Sequence, residues 1–395
     1  MFTLIRGATV LAPKPLGVRD ILLCGETIAT IGERLEVGAL AERCRVLDAD
    51  ALTAVPGYID GHVHIIGGGG EAGFASRTPE VVLGSVVSCG VTTVVGVLGT
   101  DGVTRHLESL LSKAGALEAE GLSAYIYTGS YEVPPLTFTG SVHRDMAVVD
   151  KVIGCGEIAV SDHRSSFPTV EELGRIAAQC RIGGMLTGKA GVLHLHMGDG
   201  KEGLGPIREL LARSDIPIRH FYPTHVNRNP DLLEEAVRFA HEGGTIDVTS
   251  GISPAVGVAR ALYASQAVAH CVRRGVPLER ITMSSDGNGA MAFLDDAGKP
   301  TGLLVARLDS LHAELTALVK REGFDLADAV RIVTSNVADY LRLPRKGYIA
   351  EGGSADLVLL DERLEIVDVF SRGRRMAAGG ETIVRGTFEE RERKS

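Results

Sequence analysis

Between about residues 56 and 344 the chain alternates short apolar, β-branched runs with helix-like segments, and the number of these runs most constrains the fold. The runs are GYIDGHVH, VTTVVGVLG, LSAYIYTG, EIAVSD, GVLHLHMG, IRHFYPTH, GTIDVTSG and ITMSSDG, most of them stopping at Gly, Asp, Thr or Ser. TVEELGRIAAQCRIGG, LGPIRELLARS and DLLEEAVRFAHEGG fall between several of them and are helix-like. Strands alternating with helices make parallel β/α units, and eight such strands are what a (β/α)8 TIM barrel needs to close. A doubly wound open sheet is the competitor, and it announces itself with a glycine-rich phosphate turn after its first strand. Residues 67–70 are a glycine run in that place, but no GK[ST] or GxGxxG follows. The run reads either as a close-packed loop needing positive φ or as a loop that hugs a substrate.

The two ends differ from this middle. LIRGATVL, RDILLCG, ETIATIG and RVLDAD near the N-terminus, and DLVLLDE, EIVDVFSRG, RRMAAGG and ETIVRG near the C-terminus, are short and β-rich. They predict a small discontinuous β-sandwich domain built from residues 1–55 plus 345–395, flanking an α/β barrel of residues 56–344. A length of 395 residues suits one large barrel with such a satellite. A hydrophobic share of 45% and a charged share of 23% describe an ordinary soluble protein. The net charge of -9 and the lack of a basic tract argue against nucleic acid as partner. No apolar stretch reaches membrane-spanning length, and the opening MFTLIRGATVLAPK has no targeting pattern. Cys24, Cys44, Cys89, Cys155, Cys180 and Cys271 are scattered without a CxxC pair, which predicts reduced thiols in a cytoplasmic protein.

Chemistry-bearing residues gather at the ends of the runs. His62 and His64 are two apart on the first strand, so their side chains share a face and can share a metal ion. Alone, an HxH pair is a weak signal. His196, His225 and Asp286 lie at or near the ends of later strands, and Glu157 lies in the fourth. That is where a barrel places its active site. His194 faces the same way as His196 but sits deeper, as a residue that supports a ligand. Asp162 and His163 read equally well as a polar loop.

The pattern GYIDGHVH, then single histidines on two later strands, then a late Asp, resembles the amidohydrolase superfamily, and GYIAEGGSADLVLLD is similar to its returning β domain. Within it, HVHIIGGGGEAGFASRTPE, YTGSYEVPP, SDHRSS, HMGDGK, PTHVNRN and SSDGNG resemble the isoaspartyl dipeptidase family, over nearly the whole chain. The resemblance implies a cytoplasmic, homo-oligomeric (octamer or smaller) metallopeptidase with two divalent metal ions, zinc being the best match to its ligands. By that analogy His62, His64 and Asp286 hold one ion, and His196 and His225 hold the other. A bridging anion on the fourth strand, usually a carbamylated lysine in the family, joins them. Here that position is Glu157, which has the same charge but reaches about 3–4 Å less far.

The resemblance also implies the chemistry. The ions share a water of lowered pKa and polarise the scissile carbonyl. Asp286 acts as general base and then acid, and Tyr131 steadies the oxyanion. Glu71 would pair with a free α-amino group, Arg164 and Arg228 would clamp a carboxylate, and Gly69 and Thr100 would contact the aspartyl carboxylate. A serine that normally helps them is Ala290 here. The expected reaction is hydrolysis of the isopeptide bond of β-aspartyl dipeptides. The alternatives are a cyclic-amide hydrolase, an N-acyl-amino-acid deacylase, or a non-catalytic barrel.

Overall fold

The computed structural model describes residues 2–294 and 300–389. The parallel strands of the middle are β1 (Tyr58–Val63), β2 (Val91–Gly96), β3 (Ser123–Thr128), β4 (Val152–Val160), β5 (Val192–Met197), β6 (Phe221–Thr224), β7 (Ile246–Thr249) and β8 (Ile281–Ser284). β1 to β6 form one sheet in sequential order, and β7 pairs with β8. Nearly every residue of these strands is buried, as expected where both faces of a parallel sheet are covered. The sheet curls. Val226 N–H donates to Asp247 C=O at 3.4 Å beyond the end of β6, and His64 N–H donates to Gly287 C=O at 2.9 Å beyond β1 and β8. All eight sequence runs therefore become strands.

The covering helices form for local reasons. In Pro230–His241, proline opens the helix and the Asn229 side chain accepts from Leu232 N–H. Its Leu232, Leu233, Ala236, Val237 and Ala240 then line the buried stripe at helical spacing. Val170–Thr187 begins with a capping box between Thr169 and Glu172 and ends at left-handed Gly188. No helix of the described residues is long and apolar enough to cross a membrane.

The two termini build one mixed nine-stranded sheet. Its N- and C-terminal parts meet where Thr53–Pro56 pairs antiparallel with Leu357–Leu360. The sheet encloses its own core, including Ile5, Val10, Ile21, Ile28, Leu357, Leu359 and Phe370. All nine strands are continuous in their pairing. Thr53–Pro56 leads directly into β1, so the terminal sheet aims the strand that carries His62 and His64.

Inside the curl the filling changes along the strands. Ile59, Val95, Ile153 and Val192 pack in one apolar cluster with Tyr127 and Tyr222. Tyr127 and Tyr222 in turn flank the His194 ring, with centroids 4.8 and 4.9 Å away. Beyond His194, toward the C-terminal strand ends, polar groups take over.

Candidate metal centre

His62 lies on β1, and its Nδ1 is 2.9 Å from His194 Nε2. Burial holds His194 well below the usual histidine range, hence neutral. The contact turns His62 Nε2 inward, 3.4 Å from Glu157 Oε1 and 3.4 Å from Asp286 Oδ1. His64 Nε2 approaches the same two oxygens, at 3.6 and 3.1 Å. On the other side, His225 gives Nδ1 to Thr249 Oγ1 at 2.7 Å, which leaves Nε2 3.7 Å from Glu157 Oε2. His196 Nδ1 lies 3.1 Å from that same Oε2. Glu157 thus divides its carboxylate: Oε1 faces His62 and His64, and Oε2 faces His196 and His225.

The local backbone explains how a short side chain gets there. Between Leu193↔Cys155 and Leu195↔Ile158 the pairing of β4 with β5 shifts, so Gly156 and Glu157 together oppose His194. Such a bulge re-aims a side chain. Gly156 is required at this close approach, because a Cβ there would lie 2.6 Å from His194 Cβ and from its carbonyl oxygen. His225 follows β6 directly and Asp286 follows β8 after Ser285, with φ of 61° and 55°. Left-handed backbone costs a non-glycine residue about 1–2 kcal/mol, and it concentrates at functional sites.

Charge balance matches a cation site. Burial alone would raise the pKa of Glu157, but His62, His196 and His225 beside it hold it well below the usual carboxylate range. Asp286 is likewise held low against its burial, by His64, His225 and His62. Burial would lower the His62 pKa, yet Glu157 and Asp286 raise it to about 9. His225, buried and beside His196, falls to about 3. His62 Nε2, His225 Nε2 and Glu157 Oε1 are buried without a hydrogen-bond partner. Two triads, His62–His64–Asp286 and His62–Glu157–His225, bring ligand atoms within 4.8 Å of one another. Orphaned imidazole nitrogens and a carboxylate oxygen converging on one buried space fit divalent cations.

The remaining predicted residues line the same mouth. Tyr131 is buried, with its hydroxyl 2.8 Å from His196 Nδ1. Glu71 Oε1 accepts from Thr100 Oγ1 at 2.9 Å and from Arg164 Nη1 at 3.2 Å. The Arg228 Nε is buried and without a partner. The glycine loop packs rather than cradling phosphate: a Cβ on Gly69 would meet Ala290 Cβ and Ser76 C=O, each at 2.5 Å. Arg164 is less free than a carboxylate clamp requires, because Nε and Nη2 already grip Asp162 at 2.9 and 2.8 Å.

Three further carboxylates border these residues, of which the sequence marks only Asp162, evenly against a polar loop. Asp162 is buried, not a loop acid in solvent, and its Oδ2 lies 3.0 Å from His196 Nε2. Asp60 accepts from the backbone N–H of His62 and of Ser285, and from the Ser285 hydroxyl, tying the two strand ends that carry His62 and Asp286. Asp247, below His62, accepts from Thr224, Thr282 and Ser284. The IDGHVH motif holds the only signal for Asp60, and SDHR the only one for Asp162.

The Amidohydrolase family pattern matches residues 224–378. The chain is similar to a solved structure of β-aspartyl dipeptidase from Fervidobacterium islandicum AW-1 in complex with the β-Asp-Leu dipeptide. The two are 43% identical, over 97% of this chain and 98% of that one, with a TM-score of 0.89. It is 29% identical to an adenine deaminase of Deinococcus radiodurans over 96% of this chain, and spans 63% of that relative's length. A dihydroorotase of Streptococcus pyogenes is 25% identical over 92% of this chain and 90% of its own.

Proposed function

The chain belongs to the β-aspartyl dipeptidase family of amidohydrolases, and we propose that it hydrolyses the isopeptide bond of β-aspartyl dipeptides at a two-metal centre. The observation that carries this reading is the divided Glu157 carboxylate, with one oxygen toward His62 and His64, which also meet Asp286, and the other toward His196 and His225. Two divalent ions held there, with zinc best suited to histidine and carboxylate ligands, would lower the pKa of a shared water and polarise the scissile carbonyl.

The chain's own groups supply the rest. Asp286 is ionised at neutral pH, so it can take a proton from the attacking water and return it to the leaving amine. Tyr131 keeps its proton, since burial pushes its pKa well above the usual value, and it can donate to the developing oxyanion. Glu71 offers a carboxylate to the substrate α-amino group, beside Thr100 and Gly69. Arg228 is the better carboxylate partner, and Arg164 adds only Nη1 after releasing Glu71. The scaffold completes the reading: a closed (β/α)8 barrel of residues 56–344, a terminal β-sandwich of residues 1–55 plus 345–395, and assembly into a homo-oligomer.

Zinc-loaded protein is expected to cleave β-Asp-Leu and to leave α-Asp-Leu intact. Equal rates on both would sink the reading. Turnover of dihydroorotate or a hydantoin, with none of β-Asp-Leu, would move the chain to the cyclic-amide branch.

A further inference from the structure

Asp162 touches both halves of the site, and its oxygens are fully used. Oδ1 accepts from Arg164 Nε at 2.9 Å and from the Arg164 backbone N–H at 2.8 Å. Oδ2 accepts from Arg164 Nη2 at 2.8 Å and faces His196 Nε2 at 3.0 Å. Only 5% of the residue is exposed. Burial would raise its pKa, but His196 and Arg164 drive it far below the carboxylate range.

From His196 the contacts run in a closed circuit. Arg164 lies over the Tyr131 ring, 5.3 Å from Cζ to centroid, and the Tyr131 hydroxyl returns to His196 Nδ1. Arg164 Nη1 leads out of the circuit to Glu71, and Glu71 leads to Thr100. His196 can present a lone pair at Nδ1, toward Glu157, only as the tautomer protonated at Nε2. Arg164 Nη2 stands 3.1 Å from that nitrogen, and a guanidinium donates without accepting. Asp162 Oδ2 is therefore the acceptor that the Nε2 proton needs.

We propose that Asp162 is a shared positioning residue, which sets the tautomer and ring angle of His196 for metal and fixes Arg164 against Glu71 for substrate. The inference rests on the two-metal dipeptidase reading and goes beyond it by coupling the His196–His225 side of the centre to the substrate's charged groups. The path is short: a substrate ammonium that draws Glu71 from Arg164 acts on His196 through Arg164 and the carboxylate that Arg164 shares with it, Asp162.

The test is a zinc titration of metal-free protein, with steady-state kinetics on β-Asp-Leu, for wild type, Asp162→Asn and Arg164→Met. In Asp162→Asn the first zinc is expected to bind as in wild type. The second is expected to weaken about 10–100-fold, the usual effect of losing the partner of a metal-ligating histidine. At saturating zinc its KM is expected to rise about tenfold or more, the scale of one lost hydrogen bond to a charged group. Arg164→Met is expected to raise KM and keep the second zinc. Should Asp162→Asn fail to fold, Asp162→Glu keeps the charge but displaces both oxygens, so zinc affinity and KM are expected to move together. Wild-type zinc affinity in the folded Asp162 variant, or a weakened second zinc with unchanged KM, would overturn the shared role. A wild-type protein that binds fewer than two zinc ions or spares β-Asp-Leu defeats the underlying reading instead.

Discussion

Glu157 is a fully buried acid whose two oxygens face two potential ligands each. A buried carboxylate is costly unless compensated, and the proposed cations on either side would add to what the histidines supply. Glu157→Ala is expected to lose tight binding of two metals, leaving at most one equivalent by elemental analysis after gel filtration. Two full equivalents in that variant would show that Glu157 is no bridge. The HxH pair and the strand-end residues were legible because ligands at strand ends follow from strand periodicity and barrel geometry. The bulge at Gly156 was not, because it depends on how β4 meets β5. Asp162 was only half legible, balanced evenly between a role and a polar loop, for a related reason. Its value lies in the orientation of a ring 34 positions later in the chain, and an acid in SDHR looks the same in either setting.

At the scale of elements, the segment after β8 shows most clearly what periodicity misses. ITMSSDG reads as a strand ending at its ligand, but the chain continues into an antiparallel hairpin, Ala290–Leu294 with Pro300–Val305. The hairpin grips the ligand loop: Asn288 N–H donates to Ala306 C=O, and Ala306 N–H donates to Gly289 C=O, each at 2.8 Å. The Asn288 side chain then donates to His64 C=O at 3.0 Å and Pro79 C=O at 2.7 Å. Thus a residue after the last strand holds the end of the first, and through Pro79 the segment behind the glycine loop. Asn288→Ala is expected to destabilise the fold by about 2–3 kcal/mol. It strands the Pro79 carbonyl, since His64 C=O keeps Gly67 N–H, and puts alanine at a φ of 64°, which asparagine tolerates better. Urea unfolding of the metal-free protein measures this. A loss below about 0.5 kcal/mol would mean that the hairpin, not the side chain, holds the loop.

Across the whole molecule, the terminal sheet and the barrel are joined by a buried ion pair at the end of the strands opposite the metal centre. Lys346 donates to Asp356 at 2.5 Å, to Ser123 at the start of β3 at 2.7 Å, and to Ser354 at 3.0 Å. Asp356 also accepts from Arg372 N–H at 2.7 Å. One lysine thus ties a barrel strand to the chain that enters the returning strand Leu357–Leu360. The β-rich character of both termini was legible from the sequence, but this junction was not, since each of its members reads alone as an ordinary surface residue. Buried pairs contribute little net stability against an apolar replacement, yet breaking one side leaves an uncompensated charge at about 3–5 kcal/mol. Lys346→Met is therefore expected to lower the unfolding free energy by that amount. Lys346→Met combined with Asp356→Leu is expected to recover part of the loss. The recovery is only partial, because Arg372 N–H then lacks its acceptor. Both variants should bind zinc and turn over β-Asp-Leu as wild type well below their unfolding midpoints, because the pair touches no residue of the metal centre. If the double variant were less stable than the single one, Asp356 would be holding the junction through its backbone contacts and not through its charge.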